Sequence, residues 1–272
     1  ILGVEIKGAR RWIHFPGLSL QPSEFLKPAF AVTVAWLFSR HRTSPGFPGN
    51  TLSAVLYGLI VLLLLLQPDL GMTVLISAVW FIQLFLAGLP LLVTGILAGV
   101  GILGVMGAYF LFPHVQSRID RFLDPSSGDT YNIERSLEAF MNGGVFGTGP
   151  GQGTVKMVLP EAHADFVFSV AGEEMGLIFC LFMVALYGFI VLRGLSRATT
   201  HGNLFCLLAA GGLLAQFGLQ ALINMASALH MIPTKGMTLP FVSYGGSSLL
   251  ALGLGMGMVL SLTRRRTAEE AT

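Results

Sequence analysis

Residues 51–112 read TLSAVLYGLIVLLLLLQPDLGMTVLISAVWFIQLFLAGLPLLVTGILAGVGILGVMGAYFLF. Three apolar runs, 51–67, 71–88 and 90–112, follow one another with little between them but short joints at Pro68 and Pro90. Each is about long enough to cross a hydrocarbon core roughly 30 Å thick. The runs are continuously apolar rather than alternating with period two, so they predict membrane-spanning helices and not barrel strands. The short joints predict tight helical hairpins.

Outward from this stretch, comparable runs fall at 22–39, 167–192, 204–228 and 246–262. The expected fold class is therefore an all-α polytopic membrane protein with seven spans. Composition agrees: of 272 residues, 53% are hydrophobic and 11% charged, with 34 glycines, against roughly 25% charged in a soluble domain. A soluble enzyme and a disordered chain are excluded. A net charge of +2 with scattered basic residues also excludes a phosphate-tracking nucleic-acid groove. Cys180 and Cys206 lie inside apolar runs and read as small buried hydrophobes.

Charge sets the expected orientation. Arg40, Arg42, Arg193, Arg197 and Arg264–Arg266 fall on one side of a seven-span arrangement, which the positive-inside rule makes cytoplasmic. Only Glu269 and Glu270 of the fourteen acids share that side. The odd span count then places Ile1 outside and Thr272 inside.

The outer face carries the chemistry-bearing residues. Residues 113–166 form one large extracytoplasmic loop, too long for a plain connection. Within it Tyr131, Ile133, Leu137, Phe140 and Met141 recur at helical spacing, predicting a short amphipathic helix that either lies on the membrane surface or packs on the end of the bundle. The following GGVFGTGPGQG, 143–153, has neither a preceding strand nor a Gly-Lys-Ser/Thr ending, so it reads as flexible backbone and not as a phosphate cradle. Zinc-protease and Ser-x-x-Lys motifs are absent from the sequence.

Ionisable groups at membrane depth point to function or to pairing. In LQPSEFLK, 20–27, Glu24 and Lys27 are three apart on a helix, spaced for an ion pair that is either structural or part of a substrate site. In GARRWIHFPG, 8–17, Arg10 and Arg11 stand beside Trp12 on the outer side and suggest an anionic ligand or lipid headgroups. In LPEAHADFVFSVAGEEMG, 159–176, an extended segment would project Glu161, His163 and Asp165 together. Asp165 is then either a functional carboxylate or the N-cap of the next span. Asp165, Ser169, Gly172 and Gly176 would form one small-residue stripe, and Glu173 and Glu174 need partners, with Lys156, Arg118 and Arg121 as candidates. Finally, PTKGMTLPFVSYGGSS, 233–248, presents Lys235 on a rigid outer turn.

Together GARRWI, LQPSEFLKPA, QPDLG (67–71), RIDRFLDP (118–125), GGVFGTGPGQGTVKMVLPEAHADFVFSVAGEEMG (143–176) and PTKGMTLPFVSYGGSS resemble the SEDS family of bacterial cell-wall polymerases, in family order along nearly the whole chain. PTKGMTLPF and LPEAHADF look like its division-specific branch. Ala164 departs from the Thr common between this His and Asp. The resemblance implies a ten-helix fold with both termini cytoplasmic, of which residues 1–272 would be a single membrane domain lacking about three N-terminal helices.

It further implies polymerisation of lipid II into septal glycan strands, with inversion at the anomeric carbon and release of undecaprenyl pyrophosphate, at the outer face of the bacterial cytoplasmic membrane. Asp165 corresponds to the family's essential loop aspartate, the candidate general base. Arg11, Lys156 and Lys235 become candidate pyrophosphate or sugar ligands. Glu24 and Lys27 would shape the cavity, Trp12 would line its mouth, and Glu161 and His163 would flank the base. A divalent cation, magnesium or manganese, is compatible with pyrophosphate departure, although no ligand cluster in the sequence points to one. The implied partners are a class B penicillin-binding protein, which would supply cross-linking, and other division proteins. A lipid II flippase is the competing reading, with a non-catalytic division scaffold behind it.

Overall fold

The computed structural model describes residues 4–6, 9–15, 18–67, 69–89, 91–111, 116–117, 119–120, 122, 131–200, 202–233 and 236–264. Among them are eight α-helices: α1 (Pro22–Thr43), α2 (Gly49–Leu66), α3 (Leu70–Leu86), α4 (Leu91–Leu111), α5 (Tyr131–Gly143), α6 (Val167–Thr199), α7 (Leu204–Ala228) and α8 (Gly246–Leu262). Seven of them coincide with the predicted apolar runs, and α5 with the predicted amphipathic one. Helices α2, α6 and α7 are long and apolar enough to cross a membrane, and α3 and α8 are apolar over slightly shorter lengths.

Purely α architecture is corrected at the N-terminal end. Strands β1 (Val4–Ile6), β2 (Ala9–Phe15) and β3 (Leu18–Leu20) form an antiparallel sheet in sequence order. Ile13 pairs with Leu20 and Phe15 with Leu18. The β2 stretch ARRWIHF is rich in aromatic and β-branched residues, which favour a pleated strand once a partner is adjacent. The sheet is tied to the bundle through α8: Ser247 Oγ accepts from Gln21 N at 3.0 Å and donates to Ser19 O at 3.1 Å.

Helix α7 is the axis of the bundle and packs against α1, α3, α6 and α8. Its Leu208–Leu214 run is fully buried, and the small residues Ala209–Gly212 let neighbours approach closely. Gln83 of α3 uses that space. Its Nε2 donates to Ala31 O of α1 at 2.7 Å and to Leu208 O of α7 at 3.0 Å, stitching three helices at one buried point. A Cβ at Gly212 would stand 2.3 Å from that nitrogen. The α2–α3 hairpin is closed by Asp69, whose side chain caps α3 by accepting from Met72 N at 3.1 Å. Tyr57 stacks on Trp80 across the same hairpin at 4.4 Å.

Candidate active site

The residues around Asp165 take their positions from a turn. Ala164 N and Asp165 N both donate to Glu161 O, at 3.0 and 3.1 Å, and Glu161 adopts φ 56°. The extended segment expected here is therefore overturned, because one carbonyl gathers consecutive amides and coils the chain. Glu161 and His163 are exposed and Asp165 is half-buried. Helix α6 begins just after, with Phe166 as its N-cap and no side-chain capping bond, so Asp165 is not the N-cap of this helix.

A second segment, 236–245, lies against this turn. Tyr244 N donates to His163 O at 2.8 Å. Asn224 of α7 spans the two: its Nδ2 donates to Asp165 O at 2.9 Å and to Met237 O at 2.6 Å. Gly236 adopts φ +57°, and a Cβ there would stand 3.2 Å from Asp165 Oδ2. The carboxylate of Asp165 thus rests against the backbone of the loop that enters α8.

Below the turn, a chain of polar contacts descends into the bundle. Lys27 is buried and donates to Glu24 Oε2 at 2.7 Å and to Gln220 Oε1 at 2.7 Å. Gln220 donates to Thr238 O at 3.1 Å and Oγ1 at 3.2 Å, and Thr238 Oγ1 meets Ser248 Oγ at 2.7 Å. Gln220 and Asn224 are four residues apart, so they share one face of α7. The predicted Glu24–Lys27 pair is thereby joined to the segment that holds Asp165. Gln220 and Asn224 escape a search for charges because they are neutral; two carboxamides at i, i+4 inside an apolar run are the signal that could have found them.

Lys156 goes elsewhere. Its ammonium contacts Glu174 Oε1 at 2.5 Å and Gly151 O at 3.1 Å. Glu173, fully buried, is held instead by backbone. It accepts from Thr154 N at 3.0 Å and from Val155 N at 3.1 Å, at the start of a 3-10 turn over Val155–Met157. Of the two acids predicted to need partners, then, a lysine serves one and backbone amides serve the other.

The glycine stretch 143–153 is not flexible backbone. It packs into a break in α6 at Gly176, where φ is 77° and ψ −176°. A Cβ at Gly147 would stand 2.2 Å from Glu174 O, and one at Gly143 2.0 Å from Gly172 O. The small-residue stripe of α6 likewise receives a helix: Ser169 Oγ meets Ser136 Oγ of α5 at 2.6 Å, and a Cβ at Gly172 would stand 2.4 Å from the Phe140 ring. Helix α5 packs on the bundle end, as one of its two predicted settings required.

Trp12 is half-buried on β2. The side chains of Arg10 and Arg11, and residues Arg118, Arg121 and Lys235, lie outside the described residues. Among the described residues no group of three or more His, Cys, Asp and Glu side chains could hold a metal ion.

Comparison with known proteins places this geometry. Residues 1–268 match the cell cycle protein family of FtsW, RodA and SpoVE. The chain is 49% identical to the probable peptidoglycan glycosyltransferase FtsW of Caulobacter vibrioides (strain NA1000 / CB15N), over 97% of this chain and 68% of that protein. It is 38% identical to the protein of the same description in Geobacter metallireducens (strain ATCC 53774 / DSM 7210 / GS-15), over 97% and 72%. Among solved structures, a peptidoglycan synthase complex that coordinates polymerization and crosslinking aligns with TM-score 0.78 and 30% identity over 97% of this chain and 75% of the matched chain. The rod shape determining protein RodA of Thermus thermophilus aligns with TM-score 0.68 and 30% identity over 98% and 74%. The chain belongs to the FtsW/RodA/SpoVE family of cell cycle proteins.

Proposed function

We infer that this chain is a peptidoglycan glycosyltransferase of septal cell-wall synthesis, a lipid II polymerase of the bacterial inner membrane. Its FtsW relatives are named probable peptidoglycan glycosyltransferases. The finer reading is ours: seven spans of a ten-helix fold, one large outer loop over 113–166, and a reaction centre on the extracytoplasmic side.

The observation that carries the site is the joint hold on Asp165, whose backbone is bonded to Asn224 while its carboxylate rests against Gly236. A carboxylate fixed where an outer loop meets a helix start suits a general base taking the proton from a sugar hydroxyl as that oxygen attacks an anomeric carbon. Pyrophosphate is already a good leaving group, so a second carboxylate acting as acid is not required. Cations serve instead, stabilising the departing charge, and Arg11 and Lys235 are assigned that role. Lys156, engaged by Glu174, is better suited to bracing its loop. Glu24 and Lys27 hold the cavity floor, Trp12 lines the mouth, and Glu161 and His163 flank the base.

The likeness to a peptidoglycan synthase complex supports a class B penicillin-binding protein as the partner that cross-links the product, within the division machinery. The ion pairs described at membrane level involve residues near the outer ends of α1 and α6, which favours chemistry at that face over carriage through the membrane.

The test is lipid II polymerisation by the full-length protein co-purified with its partner, wild type against Asp165→Asn. Loss of glycan strands from an intact complex is expected; strands made at the wild-type rate would move the base elsewhere.

A further inference from the structure

The break in α6 at Gly176 frees four backbone groups, and the 143–149 loop takes all four. Leu177 N donates to Gly144 O at 3.0 Å and Ile178 N to Val145 O at 3.3 Å, while Glu173 O and Glu174 O accept from Thr148 N at 2.9 Å and Gly149 N at 3.0 Å. In an unbroken helix those two N–H groups would bond those two carbonyls. The loop therefore substitutes for two rungs of the helix. Irregular backbone is compatible with membrane depth where protein satisfies its polar groups in this way.

The level of the break follows from α6 itself. Counting about 20 residues back from Arg193, the length that crosses a hydrocarbon core, reaches residue 173. Gly176 thus lies just inside the outer edge of that core. From Leu177 toward the cytoplasmic end, α6 exposes Ile178, Leu181, Phe182 and Phe189 along its outward surface, the face a bilayer covers. Val145, bonded to Ile178, and the adjoining Phe146 stand beside the top of this surface and extend it: Val145 is exposed, and Phe146 is 82% exposed. A phenyl ring this bare, continuous with a lipid-facing stripe, needs an apolar occupant.

We propose that residues 144–147 form a shallow re-entrant element whose Val145 and Phe146 side chains sit among the acyl chains of the outer leaflet. The proposal rests on reading α6 as a membrane span. Such an element also acts on the reaction centre, since the first segment of α6, Val167–Met175, rises roughly 13 Å above the break and ends next to Asp165. Immersion at 145 and 146 thereby sets the height of Asp165 over the bilayer surface, the level at which a lipid-linked sugar presents its hydroxyls.

Single cysteines at Phe146, Phe182 and Gln152, in a Cys180→Ser/Cys206→Ser background that retains polymerase activity, would carry nitroxide labels in the full-length protein in lipid nanodiscs, with and without its partner. The label at 146 is expected to match that at 182, several-fold more accessible to oxygen than to a water-soluble nickel complex, with the opposite ratio at exposed Gln152. A label at 146 that behaves like 152 overturns the proposal. So does one shielded from both reagents, alone or only when the partner is present, because a protein then covers the ring. If 182 is itself open to the nickel complex, the span reading fails first.

Discussion

The Lys27 ammonium of α1 donates to the Gln220 carboxamide of α7 at 2.7 Å across 193 positions of sequence, while also holding Glu24 at 2.7 Å. The ammonium thus joins a carboxylate at the start of α1 to the Gln220–Thr238–Ser248 chain, next in sequence to the Met237 carbonyl that Asn224 links to Asp165. Removing one member of a buried pair leaves an uncompensated charge, which costs about 3–5 kcal/mol. Glu24 keeps 12% of its side-chain surface, which favours the low end. Lys27→Met should therefore lower the unfolding temperature in detergent markedly, and adding Glu24→Gln should recover most of the loss. A single variant as stable as wild type would show that the pair does not hold the bundle.

Asn224 donates through the two hydrogens of its Nδ2 to carbonyls on two different segments. Asn224→Ala removes both bonds, and Asn224→Asp turns an acceptor toward two acceptors. A displacement of Asp165, the proposed base, by about 1 Å would cost on the order of 10²-fold in rate. Polymerisation kinetics should show that fall in kcat for Asn224→Ala, a larger one for Asn224→Asp, and little change in KM for lipid II. A raised KM with kcat intact would instead assign Asn224 to substrate binding.

The helices were legible because membrane solvation acts on whole runs: α7 and α8 occupy the predicted stretches 204–228 and 246–262. Helix α6 runs to Thr199, past the predicted 192, since Arg193 and Arg197 continue it beyond the apolar stretch. Strands β1–β3 were not legible, because β1 and β3 are three residues long and the seven-residue β2 acquires its bonds only from partners that local pattern does not name. The break at Gly176 was hidden for a similar reason. A glycine in an apolar run reads as tolerated, and what decides its conformation is Gly147, from another segment. Of the site, Asp165 and the Glu24–Lys27 pair were visible as charges, whereas the neutral pair that joins them was not.

Glu173 is a buried carboxylate that accepts from the amides and a hydroxyl of one short turn. Hydrogen bonds to a charged acceptor contribute about 1.5–3 kcal/mol each. Both amides reach Oε1, and Val155 N also reaches Oε2 at 3.2 Å; Glu173→Gln makes the acceptor neutral and turns an NH2 group toward Val155 N, so the charge-assisted bonds weaken and the Oε2 contact is lost. Amide exchange at Thr154 and Val155 should accelerate about 10- to 100-fold, with the interior of α7 unaffected. Unchanged exchange at both amides would mean that the 3-10 turn stands without the carboxylate.

Glycines in α6 offer an internal contrast. At Gly176 an added Cβ would stand 2.4 Å from Gly147 N, on a backbone at φ +77°, whereas at Gly188 nothing lies within 4 Å. Gly176→Ala therefore meets about 1–3 kcal/mol of backbone strain and, in addition, expels the loop that completes the helix. Gly188→Ala, in regular helix, should be neutral or stabilising by up to about 1 kcal/mol. Gly147→Ala, whose Cβ would stand 2.2 Å from Glu174 O, should reproduce the Gly176 effect from the other side of the contact. Combining the two should cost less than the sum of the single losses, because both substitutions break one interface. Thermal unfolding of the four variants decides it: full additivity would mean that loop and break are independent, and that the helix is interrupted for its own reasons.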